Sequence, residues 1–423
     1  MSRARLLSML AAALLWSCSE AEDDAVDPDA PDAPPGVDAG APRSAPPDIV
    51  LATEELELAE PLDRPAALAF VPGSDDELLV LEQRSRIAHY RLVDDGAELI
   101  GSFEAPEVFD GRDCGLIALA FDPEFQDNGL LYLSICLSQQ SSGVFRFHFD
   151  PEDYAATAAS MTEIIVVSES RSEYGIHNIG SIGFDPDGHL WALFGDKTWG
   201  DNGHKRDNNL GAVVRVVPNR EPEGSGYEPA PDNPYEENPD LYAHGFRSPW
   251  RGVMDRFGRL WVGDVGADSV EEINLVVPGG YHGWPDHEGP CRGECEGRVN
   301  PIVSWEQEDD APYVLDDLDA AATTRRVGWL ADFYDPQRSD ADPYAGVLDD
   351  RLLFGDMCSG FLRVLEVDGA GEIVHDVHVG HLRYMTGVAQ APDGHFYVTT
   401  YGSCGAGKGT HPAGKLLRII AAE

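Results

Sequence analysis

The chain has 423 residues, of which 75 are acidic and 30 are basic, and its formal net charge is −45. Nucleic acid and anionic membrane surfaces are repelled by a chain this acidic. Because no basic run offsets the charge, we exclude both as partners. The length exceeds that of most single domains but is ordinary for a fold built from repeats.

Residues 1–18, MSRARLLSMLAAALLWSC, combine two arginines, a short apolar run and a small residue before Cys18. This order predicts an export signal, because the apolar run is too short for a stable membrane span. The last four residues resemble a bacterial lipobox, although Trp16 is unusual there. We therefore expect cleavage before Cys18, a lipid on its thiol and a protein anchored to the bacterial cell envelope. A plain secretory signal cut nearby is the alternative.

Residues 19–50 are rich in proline, alanine and aspartate and contain almost no large apolar residue. Such a segment cannot bury enough apolar surface to fold, so we predict a disordered acidic linker. The remaining residues, 51–423, form the predicted folded domain.

Without Cys18 the chain has six cysteines, an even number that favours disulfides over metal thiolates in an exported protein. Cys291 and Cys295 are close enough in sequence to bridge each other. The other pairs that we favour, although the spacing does not determine them, are Cys114–Cys136 and Cys358–Cys404.

One unit recurs along the domain: a short alternating strand, a turn built from Asp, Pro, Asn or Gly, and a second strand. Such a unit is a β-hairpin. Val347 to Met357 supplies the second strand of a sixth copy. We predict an all-β fold, a six-bladed β-propeller of four-stranded antiparallel blades. The five complete copies begin at Ala67, Ala118, Ser181, Arg251 and Gly387.

Three second strands end in Gly-Asp, which places Asp196, Asp264 and Asp356 at equivalent heights on one face of the predicted propeller. For each residue alone, acceptance of backbone N–H bonds in a loop is the more common role. Together they make that face acidic, and a calcium-dependent hydrolytic site is the third alternative that we carry.

His177 and Arg247 each come just before a predicted first strand. In a propeller such residues point toward the mouth of the central channel. A neutral imidazole beside a guanidinium can take a proton from a hydroxyl while the cation stabilises developing negative charge. A structural role is more common for a single histidine in a loop, so the pattern alone favours packing over catalysis.

Four longer segments resemble the soluble glucose/sorbosone dehydrogenase family. They read CGLIALAFDPEFQDNGLLYLS, HNIGSIGFDPDGHLWALFGD, YAHGFRSPWRGVMDRFGRLWVGDVGADSVEEINLVVPGGYHGWP and LLFGDMCSGFLRVLEV. The similarity runs from about residue 55 to 420. The family includes aldose sugar dehydrogenases that depend on pyrroloquinoline quinone (PQQ), and the propeller of hedgehog-interacting proteins. It implies a six-bladed propeller with PQQ and Ca²⁺ at the channel mouth and a small sugar as substrate. We expect a monomer.

The resemblance also implies residue roles. His177 matches a general base that abstracts the anomeric hydroxyl proton while hydride passes to the quinone, and Arg247 matches an arginine that contacts the quinone and the substrate oxygens. Gly266 and Ala267 fall where backbone carbonyls bind the calcium of the cofactor.

A second, structural calcium position falls at Glu272, where His282 replaces the usual tyrosine partner of the family.

The chain departs from the family at several cofactor positions. Asp113 replaces a glutamine, Ser248 an asparagine, and a cofactor-gripping lysine is replaced near Ser359. Tyr384 and Thr386 replace an Arg-x-Arg pair, or Arg383 and Met385 do if the alignment shifts by one residue. These exchanges remove charge-assisted hydrogen bonds to the carboxylates of PQQ and predict weaker PQQ binding. Cations that could compensate for the loss are Lys197, Lys205, Arg206, Arg325 and Arg326.

Two classes of function therefore stay open. One is an exported dehydrogenase with a divergent cofactor site. The other is a non-catalytic cell-surface propeller that binds a glycan or a protein at the channel mouth.

Overall fold

A computed structural model describes most of the predicted domain. The predicted signal peptide, and the linker up to residue 48, lie outside the described residues. No helix among the described residues is long and apolar enough to cross a membrane. The described residues are 49–222, 224–291, 295–307, 326–369, 371–402, 404 and 413–422.

Strands dominate the described chain, with two short helices, α1 (Phe125–Asn128) and α2 (Tyr154–Ala159), and one turn of 3₁₀ helix at Gly200–Asn202. The strands are β1 (Leu51–Glu55), β2 (Glu57–Leu58), β3 (Pro65–Phe70), β4 (Glu77–Glu82), β5 (Arg86–Val93), β6 (Gly96–Glu104), β7 (Leu116–Phe121), β8 (Leu130–Cys136), β9 (Ser141–His148), β10 (Thr162–Ser168), β11 (Ile179–Phe184), β12 (Leu190–Phe194), β13 (Ala212–Pro218), β14 (Tyr227–Pro229), β15 (Leu241–His244), β16 (Pro249–Met254), β17 (Leu260–Asp264), β18 (Val270–Leu275), β19 (Val303–Glu306), β20 (Gly328–Phe333), β21 (Leu352–Asp356), β22 (Phe361–Val367), β23 (Ile373–His381), β24 (Met385–Gln390), β25 (Phe396–Thr400) and β26 (Lys415–Ala421).

The strands form a series of antiparallel meanders. Four sheets have the orders β2-β6-β5-β4-β3, β10-β9-β8-β7, β11-β12-β13-β14, in which β15 also pairs with β13, and β16-β17-β18-β19. A fifth has the order β20-β21-β22-β23-β1-β26-β25-β24 and consists of two meanders joined by a parallel contact between β1 and β23. The all-β class is confirmed.

The first strand of each meander lies next to the first strand of the following one. Strand β3 contacts β7, β7 contacts β11, β11 contacts β16, β16 contacts β20, and β20 contacts β24. Strand β24 in turn contacts β3. This closed cycle is consistent with a β-propeller, in which the first strands surround a central channel.

Burial on both faces explains the apolar sequences of the second strands. In β4, residues 78–81 read LLVL and are completely buried, because each sheet packs between two neighbouring sheets. The hairpin turns depend on an aspartate. Asp185 Oδ1 accepts the backbone N–H groups of Asp187 (3.0 Å) and His189 (2.8 Å), and Gly188 takes a left-handed φ of 80°.

Two of the three predicted disulfides are present, Cys291–Cys295 and Cys358–Cys404. The predicted Cys114–Cys136 bond is wrong, because both residues are buried free thiols. A hydrogen bond between these two thiols, together with burial, raises the pKa of Cys114. The pair therefore lies side by side in the thiol form.

Strand β1 completes the last meander, and its stability contribution can be tested at one buried position. Leu51 is 4 % exposed and pairs with Ala421 of β26, whereas the adjacent Val50 is 62 % exposed. We expect Leu51→Ala to lower the free energy of unfolding by about 2–5 kcal/mol through loss of burial and cavity formation. Val50→Ala should change it by less than about 0.5 kcal/mol. Urea unfolding of both variants checks this, and equal effects would contradict the closing role of β1.

Candidate functional site at the channel mouth

A cavity lies where the first strands begin. Its volume is about 220 Å³, just below the range of about 300–1,000 Å³ typical of small-molecule sites. Residues from all six meanders of the described chain line it, Ala66 of β3 among them, either near the start of a first strand or just after the end of a second strand. They include Asp113, His177, Ser248, Val327 and Thr386.

His177 is buried in the cavity wall and bonded to a carboxylate. Its Nδ1 lies 2.7 Å from Asp196 Oδ1, which also accepts the backbone N–H of Thr198 at 2.7 Å. The other carboxylate oxygen accepts the indole N–H of Trp284 at 2.8 Å, and the backbone N–H of Asp196 donates to the carbonyl of Arg247. Donation from Nδ1 to Asp196 leaves Nε2 as the basic nitrogen of the ring.

Left-handed backbone conformations are concentrated near this cavity. His177 has φ 52°, and the same region of φ is adopted by Arg112, Lys197, Thr198 and Tyr384. Such conformations cost about 1–3 kcal/mol each in non-glycine residues and cluster at functional sites. The loops at the mouth are therefore held in place by the surrounding contacts rather than by local preference.

Asp113 lies beside His177, as its sequence position predicted. Its carboxylate accepts the backbone N–H of His177, and the positive groups of Arg112 and Arg247 are close to it. Desolvation raises the pKa of Asp113, and the positive groups of His177 and the two arginines oppose that rise.

Arg247 reaches toward the segment that follows β17. Its Nη1 donates to the carbonyls of Val265 (2.9 Å) and Gly266 (2.7 Å), and its guanidinium carbon lies 5.5 Å from the ring centre of Trp284. The Gly266 carbonyl, which we predicted to bind calcium, therefore already accepts a hydrogen bond from the guanidinium of Arg247.

The segment around Ala267 also bonds to a carboxylate that sequence reasoning missed. Glu288 accepts the backbone N–H groups of Ala267 and Ser269, the latter at 3.1 Å. The spacing of 21 residues between Ala267 and Glu288 gave no signal for this contact.

Glu272 and His282 come together through Asn274, which was also missed. Asn274 Nδ2 donates to Glu272 at 3.2 Å, and Asn274 Oδ1 lies 3.3 Å from His282 Nδ1. Burial lowers the pKa of His282 to about 3, and its Nε2 has no hydrogen-bond partner among the described residues. Because calcium prefers oxygen ligands, Glu272 and Asn274 suit it better than the imidazole does.

Another group with metal-ligand geometry lies at the hairpin turn of Asp185, Asp187 and His189. Arg215 donates to Asp185 at 2.7 Å and lies 3.0 Å from His189 Nδ1. The positive guanidinium thus occupies the place where a cation would bind.

Asp264 and Asp356 hold the loops ahead of the first strands. Asp264 accepts the backbone N–H groups of Arg247 (2.9 Å) and Ser248 (2.7 Å), and Asp356 accepts those of Val327 (2.9 Å) and Ser359 (2.6 Å). The interpretation of these aspartates as loop caps is confirmed. Burial, with the charge of Glu272 nearby, raises the pKa of Asp264 to about 8.

The predicted equal height of the three aspartates is wrong for one of them. Asp264 and Asp356 pair with the first residues of their first strands, Pro249 and Gly328. In the third meander Phe194 takes that position, so Asp196 lies two residues farther along the chain. This offset lets its carboxylate reach the His177 side chain rather than only the backbone.

The remaining cofactor positions differ in their access to the cavity. Ser359 is buried, and its hydroxyl donates to Asp356 at 2.9 Å, so it faces away from the cavity. Thr386 lines the cavity and donates to the carbonyl of Pro65 at 2.7 Å, while Tyr384 contributes backbone hydrogen bonds. Arg383 has two buried guanidinium nitrogens, Nε and Nη2, without a partner among the described residues.

The cations that we proposed as replacements for the lost contacts to the PQQ carboxylates do not line the cavity. Lys197 is fully buried and donates to Ser142 and Asn178. Lys205 and Arg206 form surface ion pairs with acidic residues. Arg326 is buried outside the cavity wall, and Arg325 lies outside the described residues.

The sequence model of the Glucose / Sorbosone dehydrogenase family matches residues 62–408. The chain belongs to this family. A solved structure of the PQQ-bound aldose sugar dehydrogenase from Streptomyces coelicolor has a similar fold, with a TM-score of 0.65 at 22% identity. The structural match covers 89% of this chain and 100% of the Streptomyces chain.

Relatives in the glucose/sorbosone dehydrogenase family differ in the extent of the match. The aldose sugar dehydrogenase YliI of Escherichia coli is 22% identical over 382 residues, which are 82% of this chain and 90% of that protein. The HIPL1 protein of Arabidopsis thaliana is 32% identical over 154 residues, and the match spans 32% of this chain and only 22% of that protein.

The buried thiol pair of Cys114 and Cys136 gives a direct test of the cysteine arrangement in this family member. We expect alkylation without reduction to modify Cys114 and Cys136 only after unfolding, because both thiols are buried. Peptide mapping should find Cys291–Cys295 and Cys358–Cys404 still linked. A linked Cys114–Cys136 peptide would contradict the arrangement described above.

Proposed function

We propose that the chain is an oxidoreductase of the aldose sugar dehydrogenase type, with its reaction in the cavity at the channel mouth. The observation that carries the proposal is the His177–Asp196 pair, which leaves a basic imidazole nitrogen in the wall of a cavity. Family membership supports the reaction class, and the size of the cavity supports a small molecule rather than a protein segment.

His177 is the proposed general base. Its Nε2 accepts the proton of the anomeric hydroxyl, and the Asp196 carboxylate stabilises the imidazolium that forms. The bonds from Thr198 and Trp284 fix the carboxylate, so the imidazole keeps its orientation during the proton transfer. Arg247 supplies positive charge beside the cavity.

PQQ is the proposed redox group, because the solved relative named above is a PQQ-bound form. When bound, PQQ supplies an acceptor for the hydride that leaves the sugar carbon. The unpartnered guanidinium nitrogens of Arg383 suit a carboxylate, but neither Arg383 nor Ser359 lines the cavity as it stands. A calcium ion at Gly266 would require Arg247 to release that carbonyl, so we propose calcium binding only together with such a movement.

The proposal extends to organisation and location. Six meanders whose first strands close into a cycle support six blades. The sequence of residues 1–18 supports export and a lipid on Cys18, and two disulfides are typical of an oxidising compartment. A propeller closed on itself leaves few open sheet edges, which supports a monomer.

Sugar-dependent dye reduction tests the proposed function. The full chain, incubated with PQQ and calcium, is assayed with a panel of aldoses. We expect His177→Gln to lower kcat by about 10²–10⁴-fold, the usual contribution of a general base. Asp196→Asn should lower kcat by a smaller factor, because the imidazole loses the carboxylate that orients it.

The matched control is His395→Gln. His395 lies in the turn between β24 and β25, at the opposite end of the strand from the cavity. The dye-reduction activity of the His395→Gln variant should equal that of the wild type. Full activity of His177→Gln would contradict the proposed base, and sugar binding without any dye reduction would favour a non-catalytic propeller.

A further inference from the structure

Arg251 crosses the channel below the cavity mouth. It lies in β16 and lines the cavity, and only 7 % of the residue is exposed. Its Nη2 donates to the carbonyl of Ala66 in β3 at 2.5 Å, and its guanidinium carbon lies 4.6 Å from the ring centre of Trp250. Its Nε is buried and has no hydrogen-bond partner among the described residues.

The guanidinium of Arg251 differs from two other buried arginines in having no carboxylate partner, although buried Arg146 likewise donates to backbone carbonyls. Arg215 pairs with Asp185, and Arg351 pairs with Glu366, each at 2.7 Å. Among the described residues no charged group offsets the burial of Arg251, and burial lowers its pKa to about 10, so the side chain stays positive at neutral pH. A buried charge without a counter-ion is costly, and its retention in a cavity wall points to an anionic ligand.

We propose that the floor of the cavity binds a carboxylate group, with Arg251 as its cationic partner and Trp250 as a stacking surface. A guanidinium presents a planar set of donors that matches a carboxylate. The carboxylate could belong to PQQ or to an acidic sugar such as a uronic acid. The inference deepens the proposed function, because it assigns a charged ligand to the same cavity.

The direct test compares an acidic sugar with its neutral counterpart. Calorimetric titration of the full chain with glucuronate and with glucose should show tighter binding of glucuronate. Arg251→Met should weaken that binding by roughly 10- to 150-fold, the loss expected when a hydrogen bond to a charged group is removed. A parallel titration with PQQ separates the two sources: a similar loss for PQQ, with no preference for glucuronate, assigns the carboxylate to the quinone.

Arg259→Met is the matched control. Arg259 lies in the hairpin that follows β16, its guanidinium carbon is 5.8 Å from the ring of Trp261, and it pairs with Asp255 outside the cavity. The affinities of the Arg259→Met variant for glucuronate and for PQQ should equal those of the wild type. The proposal is overturned if wild type prefers no carboxylated ligand, or if Arg251→Met keeps every affinity.

Folding of the Arg251→Met variant is expected, because methionine removes the desolvation cost of a buried charge that has no ionic partner among the described residues. If Arg251→Met does not fold, Arg251→Lys keeps the charge without the planar donor set and should still lose affinity for the carboxylate. Binding requires no turnover. A chain that binds glucuronate through Arg251 but reduces no dye would therefore overturn the dehydrogenase and leave the carboxylate site in place.

Discussion

The carboxylate of Asp196 connects the loops on which the candidate site depends. It accepts hydrogen bonds from the imidazole N–H of His177, the backbone N–H of Thr198 and the indole N–H of Trp284. The backbone N–H of Asp196 donates to the carbonyl of Arg247. Because these groups come from distant parts of the chain, their geometry cannot change independently. Hydrogen bonds to an ionised acceptor are stronger than neutral ones, which explains how left-handed φ values persist nearby.

Two other meanders also use an aspartate to hold the loop before the first strand, but without a histidine partner. Asp264 and Asp356 use their carboxyl groups to hold the backbone just before β16 and β20. Burial of these groups disfavours their charged forms, as the raised pKa of Asp264 shows. The fold thus fixes the mouth of the channel with buried acids, and in one meander a register offset of two residues turns the acid toward a side chain that can do chemistry.

The repeated hairpin made most of the strands predictable, because alternating residues and an aspartate at the turn act locally. The position of His177 just before a first strand predicted that it lies at the channel mouth, and the family resemblance placed Asp113 and Ser248 at the same site; all three line one cavity. The hairpin pattern could not predict side-chain contacts across the channel. Arg251 reaches Ala66 across 185 positions, and no local signal encodes that distance.

Failed predictions have similar causes. Cys114 and Cys136 lie close together, as an even number of cysteines suggested, but proximity in a folded chain does not determine whether two thiols are bonded. The calcium assignment of Gly266 rested on its position in a family motif. In this chain the guanidinium of Arg247 takes the carbonyl, because the arginine and the glycine are brought together by the adjacent strands β16 and β17.

The cavity therefore combines a histidine that is bonded to a carboxylate with two lining arginines, Arg112 and Arg251, which were not among the expected cations. Arg251 in the cavity wall and Arg383 outside it carry buried donors without partners among the described residues, whereas the Ser359 hydroxyl is bonded to Asp356. Such donors favour an acidic ligand, and a cofactor with three carboxylates is one that the family implies. The chemistry of the site thus depends on whether that cofactor enters this cavity.

The most direct measurement is a crystal structure of the full chain grown with PQQ and calcium. The account predicts that the quinone occupies the cavity at the start of the first strands, with His177 Nε2 facing the space left for the sugar. A cavity without the quinone at saturating PQQ, or a quinone bound elsewhere on the protein, would contradict it.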